Sequence, residues 1–264
     1  MGCAWNDIVD MDVDCLVERT KNRPMARRAI PVPLAYCFTA GLLVIWAACI
    51  KQLVPQSTSS GSYAIPLVML VMAYPYAKRV TNYAQVLLGV TVGFGVIFGA
   101  AMGNFDVLHM ASQAIIAAVN AKDPQPLSNL LKDSRVLGLV LLYAVCVVWN
   151  VITDTVYAFQ DVRDDQKLKL KSTAVRYMKR AKSVMSVLAV LQVGLLAKVA
   201  ALLNGVSWLF MGSAVGGNAV TLFCLVRCVD LNDPKSCGWW FKIASLWIGS
   251  TIGVGFILQF IWEI

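Results

Sequence analysis

The sequence predicts an all-α protein, a polytopic bundle of transmembrane helices, and three observations predict it. Hydrophobic residues make up 58% of the 264 and charged residues only 14%, whereas soluble domains carry about 25% charged residues. The apolar residues fall in long continuous runs, several of them meeting or approaching the roughly 20 residues that cross a hydrocarbon layer. These runs do not alternate with period two, which argues against a strand barrel.

Seven spans are expected in order, at about 31–50, 62–77, 85–104, 136–153, 183–203, 207–226 and 243–261. Charge in the connections supports that count. The segments 15–30, 78–84, 163–182 and 227–242 all fall on one side and hold 5, 2, 8 and 3 of the 23 Lys and Arg residues. The opposite segments, 51–61 and 105–135, hold 1 and 3, and Lys198 lies inside a span. Positive charge collects on the side that stays in the cytoplasm, so the basic side is cytoplasmic. The same asymmetry requires 106–121, "DVLHMASQAIIAAVNA", to be a surface helix that does not cross.

Composition also narrows the chemistry. A net charge of +8 needs no nucleic-acid partner when the basic residues are distributed in this way. The eight cysteines are scattered, mostly in or beside apolar segments, with no CxxC pair, and read as small hydrophobes. Cys224 and Cys228 share a helix face without further ligands nearby. The single histidine, His109, reads as an ordinary connecting residue, so Ser/His and Cys/His nucleophilic chemistry is disfavoured.

The acidic residues carry the strongest signal. Of fifteen, five fall between positions 7 and 18 and four between 154 and 165. On a continuous helix Asn6, Asp10 and Asp14 (i, i+4, i+8) line one stripe, with Asp7 and Asp12 off it. Asp154, Tyr157, Asp161 and Asp165 (i, i+3, i+7, i+11) line a second, with Asp164 off it. Aligned like charges cost a helix a few tenths of a kcal/mol per pair, and more at a membrane boundary. A hard cation compensates them. Carboxylates and an amide oxygen suit Mg²⁺, and two facing clusters would hold a diphosphate between two or more such ions. Lys21, Arg23, Lys78, Arg79 and Lys171 lie on the same side, placed to bind diphosphate oxygens. A single DxxxD motif is more often a solvated face; two extended clusters on one side are much harder to obtain by accident.

Four stretches carry a family resemblance: "NDIVDMDVDCLVERTKNRPMARRAI", "YPYAKRVTNYAQVLLGVT", "DTVYAFQDVRDDQKLKLKSTAVRY" and "VDLNDPKSCGWWFK". The sequence resembles the UbiA family of intramembrane aromatic prenyltransferases from residue 3 to its end, as a single domain over 1–264. The resemblance implies Mg²⁺-dependent ionisation of a prenyl diphosphate and attack on the cation by an electron-rich aromatic ring. It implies metal ligation by Asn6, Asp10, Asp14, Asp161 and Asp165. Diphosphate contact falls to Lys21, Arg23, Lys78, Arg79 and Lys171, and Asp154 and Tyr157 line the reaction centre. The family pattern has about nine spans, and only "MGCAW" precedes Asn6, so the usual first helix and part of the second are expected to be missing. "NYAQVLL" and the long 105–135 connection point, by analogy, to the fungal meroterpenoid branch, with farnesyl or a similar prenyl group and a phenolic polyketide acceptor in an endoplasmic-reticulum-type membrane. The alternatives are a UbiA-type terpene cyclase, a 4-hydroxybenzoate polyprenyltransferase, or a transporter of divalent cations or lipid diphosphates. Prenyl chain length, acceptor identity and oligomeric state are not encoded in these motifs.

Overall fold

The computed structural model describes residues 1–53, 60–203 and 205–264, which contain helices and no strand. A short α1 (Gly2–Val9) and a one-turn α2 (Met11–Asp14) lead through a 17-residue loop, 15–31, into α3 (Val32–Leu53). Then come α4 (Ser60–Val80), α5 (Ala84–Met102), α6 (Val107–Ala121), α7 (Gln125–Lys132) and α8 (Ser134–Ala158). After α8 the chain forms α9 (Val162–Lys167), α10 (Thr173–Tyr177) and, beyond a 3₁₀ turn, α11 (Ala181–Leu202). The short α12 (Trp208–Phe210) passes through a π-helical turn, Met211–Gly216, into α13 (Gly217–Cys228), and α14 (Pro234–Glu263) ends the bundle.

Six helical stretches are long and apolar enough to cross a membrane: Val32–Gln52, Ala84–Met102, Ser134–Ala158, Thr173–Leu202, Trp208–Cys228 and Pro234–Glu263. They coincide with six of the seven expected spans, and the protein is integral to the membrane. The remaining span, 62–77, is α4, where Tyr63, Tyr74, Tyr76, Pro66 and Pro75 leave the helix less apolar than its neighbours. The last span begins nine residues earlier than expected, because Asp233 accepts the N–H groups of Lys235 and Ser236 and starts α14 well ahead of its apolar run. Asp133 caps α8 and Asp106 caps α6 in the same way. The expected surface helix is α6, whose 15 residues are too few to span. The expected connection 51–61 lies mostly outside the described residues.

At the centre stands α8, packed against α5, α11 and α14. Its approach to α5 is backbone to backbone: a Cβ on Gly89 would lie 2.8 Å from the carbonyl oxygen of Val147. Around α8 lie Ile152, Val156, Met185, Leu222, Leu225 and Ile248, all essentially inaccessible. A buried polar chain joins the three C-terminal helices, Gln192 donating to Asn218 at 2.8 Å and Asn218 to Thr251 at 3.0 Å.

The two acidic stripes are not continuous. Asp10 sits at φ −93°, ψ 3°, outside helical geometry, so α1 ends before it and α2 begins after it. Likewise α8 ends at Ala158, and a turn over Phe159–Asp161 separates it from α9. Across that turn Asp161 and Asp165 still line the same cavity as Asp154.

Replacing Gly89 with Val should destabilise the protein by about 1–3 kcal/mol through overpacking, read as a lower melting temperature in detergent. Gly95→Ala, on the same helix with nothing within 4 Å of its added Cβ, should leave that temperature unchanged or raise it.

Candidate active site

A cavity of about 410 Å³ opens at the basic end of the bundle, between α1, α2 and the following loop on one side and α4, α5, α8 and α9 on the other. Its polar mouth holds six carboxylates (Asp7, Asp10, Asp14, Asp154, Asp161 and Asp165) and four cations (Arg19, Arg23, Lys78 and Arg79). Val71, Leu88 and Val92 line its apolar part. Asp154 lies one helical turn deeper in the bundle than Tyr157, whose ring packs on Phe241 with centroids 4.8 Å apart.

The cations already engage most of the acids. Arg23 Nη1 bridges Asp7 at 3.0 Å and Asp14 at 2.9 Å. Arg19 makes a bidentate contact with Asp161, donates to the Tyr157 hydroxyl at 2.8 Å and covers the Tyr157 ring at 4.9 Å. Asp10, only 5% exposed, has Lys78 and Arg79 each at 3.8 Å, too far for hydrogen bonds. Burial raises its carboxyl above the usual range; Lys78 opposes this, and Asp14 adds to it. Asp7 is raised by burial against the pull of Arg23. Burial also pushes Asp165 up to about 6 against the pull of Lys78, with Asp161 adding to the rise.

One buried polar atom at the mouth has no hydrogen-bond partner among the described residues: Asn6 Oδ1. An amide oxygen needs no proton donor if a cation fills the role, and an Asn oxygen beside Asp carboxylates is a hard-oxygen donor set. Among the described residues no three acidic, His or Cys side chains converge on one point. The set therefore fits an ion that takes one or two carboxylates and completes its shell with water and phosphate oxygens, as Mg²⁺ does.

Most residues singled out from sequence meet here: Asn6, Asp10, Asp14, Arg23, Lys78, Arg79, Asp154, Tyr157, Asp161 and Asp165 all line the cavity. Two do not. Lys21 turns outward to Glu18 at 2.8 Å. Lys171 donates from Nζ to the carbonyl of Val80 and from its backbone N–H to that of Lys78, both at 2.9 Å. It thereby ties the loop after α9 to the C-terminus of α4, the turn that carries Lys78 and Arg79. Arg19, Asp7, Tyr74 and Gln85 also line the cavity and were not singled out by sequence spacing. Asp7 precedes Asp14 by seven residues, two helical turns, and that spacing was the signal for it; Arg19 stands five residues past Asp14 in a basic run where nothing in the spacing separates it from Lys21.

The family model described as "UbiA prenyltransferase family" matches residues 1–248. The mitochondrial 4-hydroxybenzoate polyprenyltransferase of Schizosaccharomyces pombe is 34% identical over 241 residues, which are 91% of this chain and 59% of that protein. The chain thus spans less than two thirds of this relative. The UbiA prenyltransferase claS of Ampulloclitocybe clavipes is 29% identical over 268 residues, covering 100% of this chain and 74% of claS. Among solved structures, the apo form of a UbiA homologue from Aeropyrum pernix K1 shares the fold, with a TM-score of 0.70 at 22% identity over 98% of this chain and 84% of the homologue.

A carboxyl raised by burial is more easily protonated in the folded state than in the unfolded one, so its destabilising effect is full above the folded pKa, shrinks as pH falls through it and is gone only below the unfolded value of 3.8. The ligand-free protein should therefore melt at a higher temperature at pH 5 than at pH 7, with the rise beginning as pH falls through about 6 and continuing toward 3.8, and Asp165→Asn should flatten that dependence.

Proposed function

The chain belongs to the UbiA prenyltransferase family, and from that premise we propose that it transfers a prenyl group from a prenyl diphosphate to an aromatic acceptor in a Mg²⁺-dependent reaction. The observation that carries the reading is the charge imbalance of the mouth: six carboxylates against four cations, with Asn6 Oδ1 unpartnered, next to an apolar interior. Such a mouth is completed by cations that bring a diphosphate with them.

Asn6, Asp10 and Asp14 would hold Mg²⁺ on one wall, Asp161 and Asp165 on the other. When bound, Mg²⁺ neutralises charge on the diphosphate. Arg19, Arg23, Lys78 and Arg79 donate N–H groups to the diphosphate oxygens and stabilise the leaving group as the allylic C–O bond breaks and its electron pair passes to oxygen. Val71, Leu88 and Val92 keep water from the allylic cation, which water would quench to an alcohol. Asp154 and Tyr157 would line the position of the ring carbon that forms the new bond, and as its C–H bond breaks the proton would pass to the Asp154 carboxylate, restoring the aromatic ring. Asp161 would be free to hold Mg²⁺ once Arg19 released its bidentate contact there, and the freed guanidinium would then be available to diphosphate oxygens.

The acceptor we favour is a phenolic polyketide, with farnesyl or a similar donor. A second reading, 4-hydroxybenzoate as acceptor, is supported by the 34% identity to the Schizosaccharomyces pombe protein. Membranes containing the chain, supplied with Mg²⁺, farnesyl diphosphate and a panel of phenolic acids and polyketides, should yield an adduct of acceptor plus prenyl by mass. The acceptor consumed selects between the two readings. A terpene hydrocarbon with every acceptor untouched would overturn both. Asp161→Ala should lower turnover by about 100-fold or more, with melting in detergent still cooperative, and EDTA should abolish turnover.

A further inference from the structure

We infer that the groove between α11 and α13 is a binding site for one anionic phospholipid, separate from the prenyl diphosphate cavity. The groove has a volume of about 550 Å³ and is lined along its length by apolar side chains, among them Val190, Val193, Ala219 and Phe223 over a floor of Leu222. Polarity changes in one direction only. On α11, Lys182, Ser186, Val190 and Val193 follow one another at helical spacing, so charge gives way to a hydroxyl and then to hydrocarbon with depth. On α13, Arg227 in the last turn stands at the same end as Lys182. This is the polarity profile of a phospholipid: phosphate at the interface, acyl chain below.

Charge complementarity fixes the occupant. Lys182 and Arg227 are exposed and make no ion pair among the described residues. Both also border a wider basin of about 1000 Å³, to which Arg163, Lys167 and Lys179 add positive charge that Glu18, Asp161, Asp164 and Asp230 only partly offset. Basic pockets between transmembrane helices on the cytoplasmic side bind anionic headgroups. A second copy of this chain in the same membrane orientation would bring its own Lys182 and Arg227 to the same depth, setting like charges together, so a self-partner fits this groove poorly. The exposed walls, Val190 at 75% and Phe223 at 70%, match acyl chain rather than water. None of the groove residues lines the prenyl diphosphate cavity.

The test is native mass spectrometry of the detergent-purified protein, mixed with equal amounts of phosphatidylglycerol and phosphatidylcholine of matched acyl chains. The site predicts one tightly retained phosphatidylglycerol, preferred by roughly 10-fold or more. The double variant Lys182→Gln/Arg227→Gln should reduce that preference to about 2-fold. Ala219→Phe, which fills the groove and leaves the charges alone, should remove the retained lipid altogether. Equal retention of the two lipids, an unchanged preference in the double variant, or full retention in Ala219→Phe would each overturn the assignment. So would stoichiometric displacement of the lipid by farnesyl diphosphate, which would make the groove part of the substrate path. Inorganic phosphate at the same concentration should leave the retained lipid in place; its displacement would mean that the headgroup charge alone is held.

Discussion

The rest of the structure depends on an electrostatic constraint: six carboxylates share the mouth of one cavity at a membrane boundary with only four cations. Carboxylates brought together in a low-dielectric site repel one another and lose hydration, at a cost that rises steeply with burial. The raised carboxyls of Asp7, Asp10 and Asp165 register that cost. Arg19 and Arg23 offset part of it by bridging the acids directly, while Lys78 and Arg79 stand off from Asp10 at 3.8 Å. A site arranged in this way keeps an excess of carboxylates over cations.

The surrounding fold holds the two acidic walls in register. The close passage of α5 against α8, made possible at Gly89, fixes the wall that carries Asp154 and Tyr157. Lys171 anchors the loop after α9 to the end of α4, so Lys78 and Arg79 are positioned by the same segment that succeeds Asp161 and Asp165 in the chain. The opposite wall, α1 and α2, is held by charge as well as by packing: Arg79 donates to the carbonyl of Val9 at 2.8 Å, and Ile8 packs with Met25 and Ala35. Farther from the site, the polar chain through Gln192, Asn218 and Thr251 gives the C-terminal helices a fixed mutual rotation, and with it the shape of the lipid-facing groove.

Much of this was legible in the sequence, because membrane helices announce themselves by length and apolarity and their orientation by loop charge. The first of those signals sufficed for six of the seven expected spans, and α6 is too short to be another. Spacing also identified the acidic walls, but for an incomplete reason. Helical periodicity grouped Asn6 with Asp10 and Asp14, and although the backbone breaks at Asp10 all three line the cavity. Asp7, two helical turns before Asp14, stands in the cavity with it, and both pair with Arg23. The roles of Lys21 and Lys171 were not legible: among several lysines near a motif, only tertiary contacts decide which turns toward Glu18 and which toward a helix C-terminus.

Whether the mouth is a divalent-cation diphosphate site completed by its ligand is tested most directly by calorimetric titration of inorganic pyrophosphate into the detergent-purified protein. With Mg²⁺ in excess the account predicts saturable binding at one site, weakened at least about 10-fold when EDTA replaces the metal, since the carboxylates then repel the incoming anion. Pyrophosphate binding of equal strength with and without Mg²⁺ would show that Arg19, Arg23, Lys78 and Arg79 alone hold the anion. That result would contradict the assignment of the carboxylates as the cation's ligands.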